Sequence, residues 1–267
     1  MSGPRVLTIN VGNTHSSAVA WTEFTPQAGI GAWKTGAAAP VSLIRRAQPG
    51  VIILSGVVPA YKKKLAASLE RIADVRVFRK DIPAPLTIVP RPADKVGDDR
   101  IAAALGALMY DWECPWVVVD LGTATTVNAV RPGSGKKLPR FEGGLIFPGT
   151  AMCFDALHQR TAQLPKLGGG VIKLSSYIGT TTAEAMQLGV HHSLIGGICS
   201  CIYGQLKELG ADACIALTGG GLTERVRQAI EQTFDERVRA GMLRANPWLV
   251  HVGLRAAWAE FLQNGGR

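Results

Sequence analysis

The strongest constraint on this chain is the run Trp116-Val117-Val118-Val119-Asp120-Leu121-Gly122-Thr123-Ala124-Thr125-Thr126, where an apolar segment ends in a carboxylate and then a glycine- and threonine-rich turn. Such a pattern describes a buried strand that delivers a phosphate or cation site. Glycine lets the backbone approach an oxyanion closely, hydroxyls and exposed N–H groups donate to it, and a strand-end carboxylate holds a cation. A second copy, Val6-Leu7-Thr8-Ile9-Asn10-Val11-Gly12-Asn13-Thr14, carries an amide where the carboxylate would stand. Two such units, about 110 residues apart, point to a duplicated domain. Turns of this kind facing each other would clamp a nucleotide phosphate chain, and a third glycine-rich turn, Thr218 to Gly221, strengthens that reading.

Bulk properties set the frame. The 267 residues suffice for two domains with real cores. An apolar fraction of 47% with 18% charged residues is that of a globular protein. The net charge of +9 is read as a field that favours anionic small molecules rather than nucleic acid, because the basic residues are scattered. Their densest cluster, Lys62-Lys63-Lys64, is read as a solvated helix face. Cys114, Cys153, Cys199, Cys201 and Cys214 lack C-x-x-C spacing and are expected to be buried, reduced thiols, which favours a reducing compartment. His191-His192 near Cys199 and Cys201 is not read as a metal site, since adjacent residues do not share a helix face. The start shows no signal-peptide pattern and no apolar stretch is long enough to span a membrane, so a cytoplasmic protein is expected.

The first third of the chain alternates β and α. Strands are expected at 5–9, 16–22, 32–35, 51–58 and 75–78, with helices at 41–47 and 62–72. Gly12, Asn13 and Thr14 form a hairpin corner. Four prolines between Pro83 and Pro92 make an extended connector. A helix follows from about Ile101 to Tyr110, with Asp98 and Asp99 in its first turn or cap. After the second strand-turn unit come a strand at 126–130, a basic loop at 133–137, the Gly143-to-Gly149 stretch, a helix at 150–160 and a Gly168-Gly169-Gly170 loop. The remainder reads as a helix at 182–205, a strand at 213–217, a helix at 223–233 and a final helical segment at 246–262. The expected domains are 1–114 and 115–267, with the final helix packing back on the first.

The chain lacks a G-x-x-x-x-G-K-[ST] loop and a strand-G-x-G-x-x-G-helix unit, the common nucleotide-binding alternatives. What remains is the hinged α/β architecture of actin, the ATP-driven heat-shock chaperones related to it, and sugar or acid kinases. Gly97-Asp98-Asp99-Arg100 adds a carboxylate beside a guanidinium, which a kinase needs for the attacking hydroxyl and for an anionic substrate.

Taken in order, the motifs resemble those of the type III pantothenate kinases: Asn10 to Thr14, Gly97 to Arg100, Asp120 to Thr126, Gly143 to Gly149, Gly179 to Thr182 with Ala185 to Gly189, and Thr218-Gly219-Gly220. The resemblance implies two duplicated actin-like, ribonuclease H-like domains with mixed five-stranded sheets flanked by helices and a nucleotide cleft between them. It also implies transfer of the γ-phosphoryl of ATP to pantothenate, giving 4'-phosphopantothenate, the first step of coenzyme A synthesis. Mg2+ or another divalent cation, K+ or NH4+ as monovalent cation, and a homodimer belong to the same expectation. By position, Asp99 takes the place of the base, and Gly97, Asp98, Arg100 and Thr182 those of pantothenate contacts. Asn10, Val11, Gly12, Asn13, Thr14, His15, Ser16 and Ser17 take the place of the first phosphate loop, with Thr123, Gly219 and Gly220 as further ATP contacts. Asp120 takes that of the monovalent-cation ligand.

Three residues depart from the family pattern. Asn10 stands where the family has Asp, and an amide holds a divalent cation more weakly than a carboxylate. Asn128 replaces a second family Asp, and Pro90 falls where many members have a substrate-covering Tyr. From Asn10 follows an alternative expectation, a catalytically weakened paralogue acting as a regulatory or binding protein. The dimer face is expected on the helix from Thr182, around Leu194-Ile195-Gly196-Gly197-Ile198.

Overall fold

A computed structural model describes residues 5–22, 25–168 and 176–266, without the side chains of 27–30. Gly169 and Gly170 of the expected glycine loop lie outside the described residues. The elements in order are β1 (Val6–Val11), β2 (His15–Thr22), β3 (Thr25–Lys34), α1 (Val41–Arg46), β4 (Val51–Gly56), α2 (Pro59–Leu69), β5 (Asp74–Val77), β6 (Thr87–Ile88) and α3 (Asp98–Leu108). They continue with β7 (Trp116–Leu121), β8 (Ala124–Arg131), β9 (Arg140–Pro148), α4 (Thr150–Arg160), α5 (Thr182–Leu209), β10 (Cys214–Thr218), α6 (Glu224–Thr233), α7 (Asp235–Arg239), β11 (Leu243–Ala245) and α8 (Leu249–Gln263).

Two compact units emerge. One joins Met1–Glu113 to Pro132–Glu142 and Trp248–Arg267; the other joins Cys114–Arg131 to Gly143–Pro247.

The sheet of the first unit runs β3-β2-β1-β4-β5, antiparallel from β1 to β3 and parallel from β1 to β5. Its central strands are buried on both faces, so β1 reads as a mostly apolar run rather than an alternating one, with Thr8 as its fully buried polar residue. Leu7, Ile9 and Val11 pack with Ile52, Leu54, Leu65 and Leu69. α8 lies against α3 and β1. Their backbones approach closely: a Cβ added to Gly253 would lie 1.8 Å from the Ala102 carbonyl oxygen, and one added to Gly106 would lie 2.2 Å from that of Leu249.

The second sheet runs β11-β10-β7-β8-β9-β6. β7 again sits at the parallel–antiparallel junction, parallel to β10 and antiparallel to β8. Val117, Val119 and Ile215 form a core with Ile198 and Ile202 of α5.

This sheet has one strand more than the expected five. The extra strand, β6, comes from the Pro-rich connector: Thr87 and Ile88 fall between its prolines and pair with Arg140 and Phe141, the Thr87 N–H donating to Pro139 O at 2.8 Å and the Val89 N–H to Phe141 O at 3.0 Å. Of the Gly143-to-Gly149 stretch, expected only as a glycine-rich segment, Gly143 to Pro148 form the second half of β9 and Gly149 caps α4. The short α7 and β11 carry too few residues to show periodicity and were not expected. Among the described residues no helix is long and apolar enough to cross a membrane.

Candidate functional site

β1 and β7 have the same burial pattern along their six residues, with only the fifth position, Asn10 in one and Asp120 in the other, partly open. In each case the following turn closes on itself. The Gly12 N–H donates to His15 O at 3.1 Å and the Gly122 N–H to Ala124 O at 3.2 Å. A Cβ at Gly12 would meet His15 O at 2.7 Å, so the turn requires its glycine.

The duplication extends to a pair of hydroxyls that the sequence did not reveal. Asn10 pairs across the sheet with Ser55 of β4, and Asp120 with Thr218 of β10. Ser55 and Thr218 are 0% and 1% exposed, and neither hydroxyl has a hydrogen-bond partner among the described residues. The side-chain oxygen of Asn10 is likewise a buried acceptor that no protein donor reaches. Buried polar atoms are normally satisfied, so these oxygens at the ends of paired strands are free to bind a ligand, a cation or a water. The sequence signal was faint: one Ser and one Thr at strand ends become a pair only once register is known.

Around Asp120 the second unit gathers three glycine turns. A Cβ at Gly219, whose φ is +101°, would lie 2.4 Å from Asp120 Oδ1 and 2.5 Å from Leu121 O. A Cβ at Gly149 would lie 2.4 Å from Gly122 O, and the Gly149 N–H donates to Thr123 O at 3.0 Å. Asp120, Thr123 and Gly219 are thus brought together, with Gly220 next in the chain. Asn128 is fully buried instead, its amide donating to Thr126 Oγ1 at 2.9 Å, so it braces β8. Thr182 opens α5 from an exposed position behind the N-cap Thr181, whose hydroxyl accepts from the Glu184 N–H.

In the first unit, Gly97 caps α3 and Asp98 and Asp99 fill its first turn, where the helix dipole favours negative charge. The Arg100 N–H donates to Asp99 Oδ1 at 2.8 Å, and a Cβ on Gly97 would lie 2.5 Å from the same oxygen. Gly97 is therefore what leaves room for the Asp99 carboxylate. Burial raises the Asp99 pKa, Asp98 adds to the rise, and the Arg100 N–H and charge oppose it. The Arg100 guanidinium stands over the Phe141 ring at 5.3 Å, and desolvation lowers its pKa.

Asp98 faces elsewhere: Oδ2 lies 3.0 Å from Lys62 Nζ and Oδ1 lies 3.2 Å from Arg79, which also donates to Val96 O and Ala93 O. Its carboxylate clamps the end of the connector. The same pair corrects the reading of the lysine cluster, since Lys63 and Lys64 are exposed while Lys62 is turned inward. Of the cysteines, only Cys114 is buried, and the other four are partly exposed.

The first loop is held from below by α8. His251 is buried, its Nδ1 lying 2.9 Å from Thr8 Oγ1 and its Nε2 2.9 Å from Ser17 Oγ. Trp21 Nε1 donates to Thr8 Oγ1 at 2.8 Å. Ser16 Oγ lies 2.9 Å from Thr35 Oγ1, which donates to Gly12 O. Burial pushes the His251 pKa down from 6.5 to about 4. A histidine with a lowered folded-state pKa contributes its stability fully above the unfolded value and loses it as pH falls through the window from about 6.5 to about 4. Over that window the unfolding free energy is expected to drop by roughly 3 kcal/mol from this group alone. Urea unfolding of the native chain and of His251→Gln at both ends of the window checks this: the variant should lose that part of the pH dependence, and equal slopes would refute it.

A family model, described as type III pantothenate kinase, matches residues 6–205. The chain belongs to the type III pantothenate kinase family. A type III pantothenate kinase of Streptomyces griseus is 31% identical over 281 residues, covering 95% of this chain and 97% of that one. Relatives of the same name from Sulfurihydrogenibium and Persephonella marina are 33% and 30% identical, and the matched regions span 65% and 64% of their lengths. These relatives give no support to the weakened regulatory paralogue as an alternative.

Among solved structures, a Campylobacter jejuni protein assigned to the Baf family of transcriptional activators aligns with a TM-score of 0.56 at 18% identity, covering 96% of this chain and 99% of that one. MreB 5 of Spiroplasma citri, solved with AMPPNP, aligns at 0.50 with 12% identity, covering 99% and 100%. At such identities the likeness speaks for the fold, which is the actin-like α/β fold expected for type III pantothenate kinases.

Proposed function

We propose that the chain is an ATP-dependent kinase that phosphorylates the primary hydroxyl of pantothenate. The observation that carries this reading is the half-buried Asp99 carboxylate, set at a helix N-terminus by Gly97 and flanked by Arg100. Asp99 accepts or orients the proton of the attacking hydroxyl, and its raised pKa brings it closer to neutral pH, where a general base works best. Arg100 attracts the pantothenate carboxylate, and Thr182 is a further acceptor contact. In the first unit the backbone of Asn10 to Ser17 offers donors to phosphate oxygens, and in the second unit Thr123, Gly219 and Gly220 do the same; donors of this kind stabilise the charge that develops on a γ-phosphoryl.

A cation fits the acceptors at hand. Among the described residues no three His, Cys, Asp or Glu side chains converge into a cage, so a divalent ion would be held largely by the nucleotide phosphates, with Asn10 Oδ1 beside it. Such an ion supplies charge neutralisation during transfer. Asp120 would hold a potassium or ammonium ion. We propose that the homodimer face lies on α5 around Leu194 and Ile195 and continues into the apolar groove of about 700 Å³ between α4 and α5, where Met152, Leu157, Met186 and Val190 contribute, while Ile198, also expected on that face, is buried in the core of the second unit. A cytoplasmic site of action accords with a coenzyme precursor as substrate.

The test is direct. The purified chain is incubated with ATP, magnesium, potassium and pantothenate, and 4'-phosphopantothenate is sought by mass; its absence under all divalent ions tried sinks the reading. Asn10→Asp restores the second strand-end carboxylate and is expected to lower the magnesium concentration needed for half-maximal rate by roughly tenfold, the effect of one added charge–charge contact. An unchanged magnesium requirement would remove Asn10 from the cation's surroundings.

A further inference from the structure

Cys114 precedes β7 and Cys214 opens β10, at the end of the second sheet remote from the glycine turns. Their sulfurs are in direct contact at 2.7 Å. Both thiols also approach Asp212 O, at 3.3 and 3.9 Å, and the Cys214 N–H donates to Pro115 O at 2.8 Å, so the two segments are pinned side by side. Cys114 is buried and Cys214 is partly exposed. No step of the proposed phosphoryl transfer uses either residue.

We infer that Cys114 and Cys214 are a redox modification site that closes reversibly into an intrachain disulfide by exchange with a low-molecular-weight disulfide. The Cys214 thiolate, the accessible member, attacks one sulfur of the reagent, forming a mixed disulfide and releasing one reagent thiolate. Cys114 gives its proton to solvent and attacks the Cys214 sulfur, forming the protein S–S bond and releasing the second reagent thiolate. Each protein sulfur gives up one electron, and the reagent is reduced to two thiols. Because the sulfurs already touch, the second attack requires little backbone movement, whereas cysteines held apart would stop at the mixed disulfide.

The bond would join residues 100 positions apart and so restrict the unfolded chain strongly. It ties the entries of the two central strands whose exits carry Asp120 and Thr218, without touching those exits. The oxidised chain is therefore expected to melt several degrees higher and to keep its turnover. The inference stands on the sheet geometry alone, and holds or fails whatever the chain phosphorylates.

The experiment treats the folded full chain with oxidised glutathione, blocks remaining thiols by alkylation, and maps peptides by mass. The expected result is a Cys114 peptide joined to a Cys214 peptide, released by dithiothreitol, with Cys153, Cys199 and Cys201 alkylated. Cys214→Ser should abolish the joined species, and Cys114→Ala should leave Cys214 trapped as its glutathione adduct. Recovery of both cysteines alkylated, an adduct on Cys214 that never resolves in the native chain, or a bond to a different cysteine would each overturn the assignment.

Discussion

Asp99→Asn is expected to lower pantothenate-dependent turnover by roughly 10²- to 10⁴-fold, the range a positioned general base contributes. The substitution keeps the shape of the side chain, and its amide oxygen can still accept the Arg100 N–H that now bonds Asp99 Oδ1 at 2.8 Å. Burial already disfavours the charged carboxyl, as its raised pKa records, so removing the charge should leave stability unchanged or slightly higher. The loss should fall on kcat more than on KM, because proton acceptance matters in the transition state rather than in binding. Steady-state kinetics with the melting curve of the same preparation decides the matter. Near-normal turnover in a folded variant would remove Asp99 from the chemistry. If the native chain turns over as proposed, the acid limb of its pH profile should track the same group, with kcat/KM rising as Asp99 loses its proton at a pH above the ordinary carboxylate value.

The parts of the molecule legible in the sequence were those where chemistry and periodicity coincide. β1 and β7 are apolar runs closed by a polar residue and a glycine turn, and they occupy equivalent places in two sheets because both must be buried on both faces. The place of Asp98 and Asp99 in the first turn or cap of α3 was readable from the same kind of local rule, whereas the cap itself is Gly97 and the helix starts at Asp98, ahead of the expected Ile101. What escaped depends on register and on distant packing. β6 hides among prolines, and β9 carries adjacent glycines that weaken a strand signal. Ser55 and Thr218 matter only through the strands beside them. His251 looks from its own neighbourhood like any residue of an apolar helix, and its partners Thr8 and Ser17 lie more than 230 positions away.

That distant packing sets up the second large effect. Gly253→Ala is expected to destabilise the chain by about 2–4 kcal/mol, although an alanine in a helix is ordinarily worth about 1 kcal/mol more than a glycine. The new methyl would lie 1.8 Å from the Ala102 carbonyl oxygen and 2.8 Å from the Gly106 nitrogen, and both are helix backbone that has no rotamer to move. α8 must back away from α3, and with it His251 withdraws from Thr8 and Ser17. The turn after β1, proposed above to hold phosphate, then loses its support, so weaker ATP binding is expected to accompany the lower unfolding midpoint. Gly204→Ala is the control. It sits in α5 with no atom within 4 Å of the added carbon, and should gain the helix-propensity increment instead. A rise in the urea midpoint for both variants would show that the α3–α8 contact yields easily; opposite signs would show that backbone contact between these helices, rather than glycine's intrinsic cost, governs how α8 holds the loop beneath Asn10.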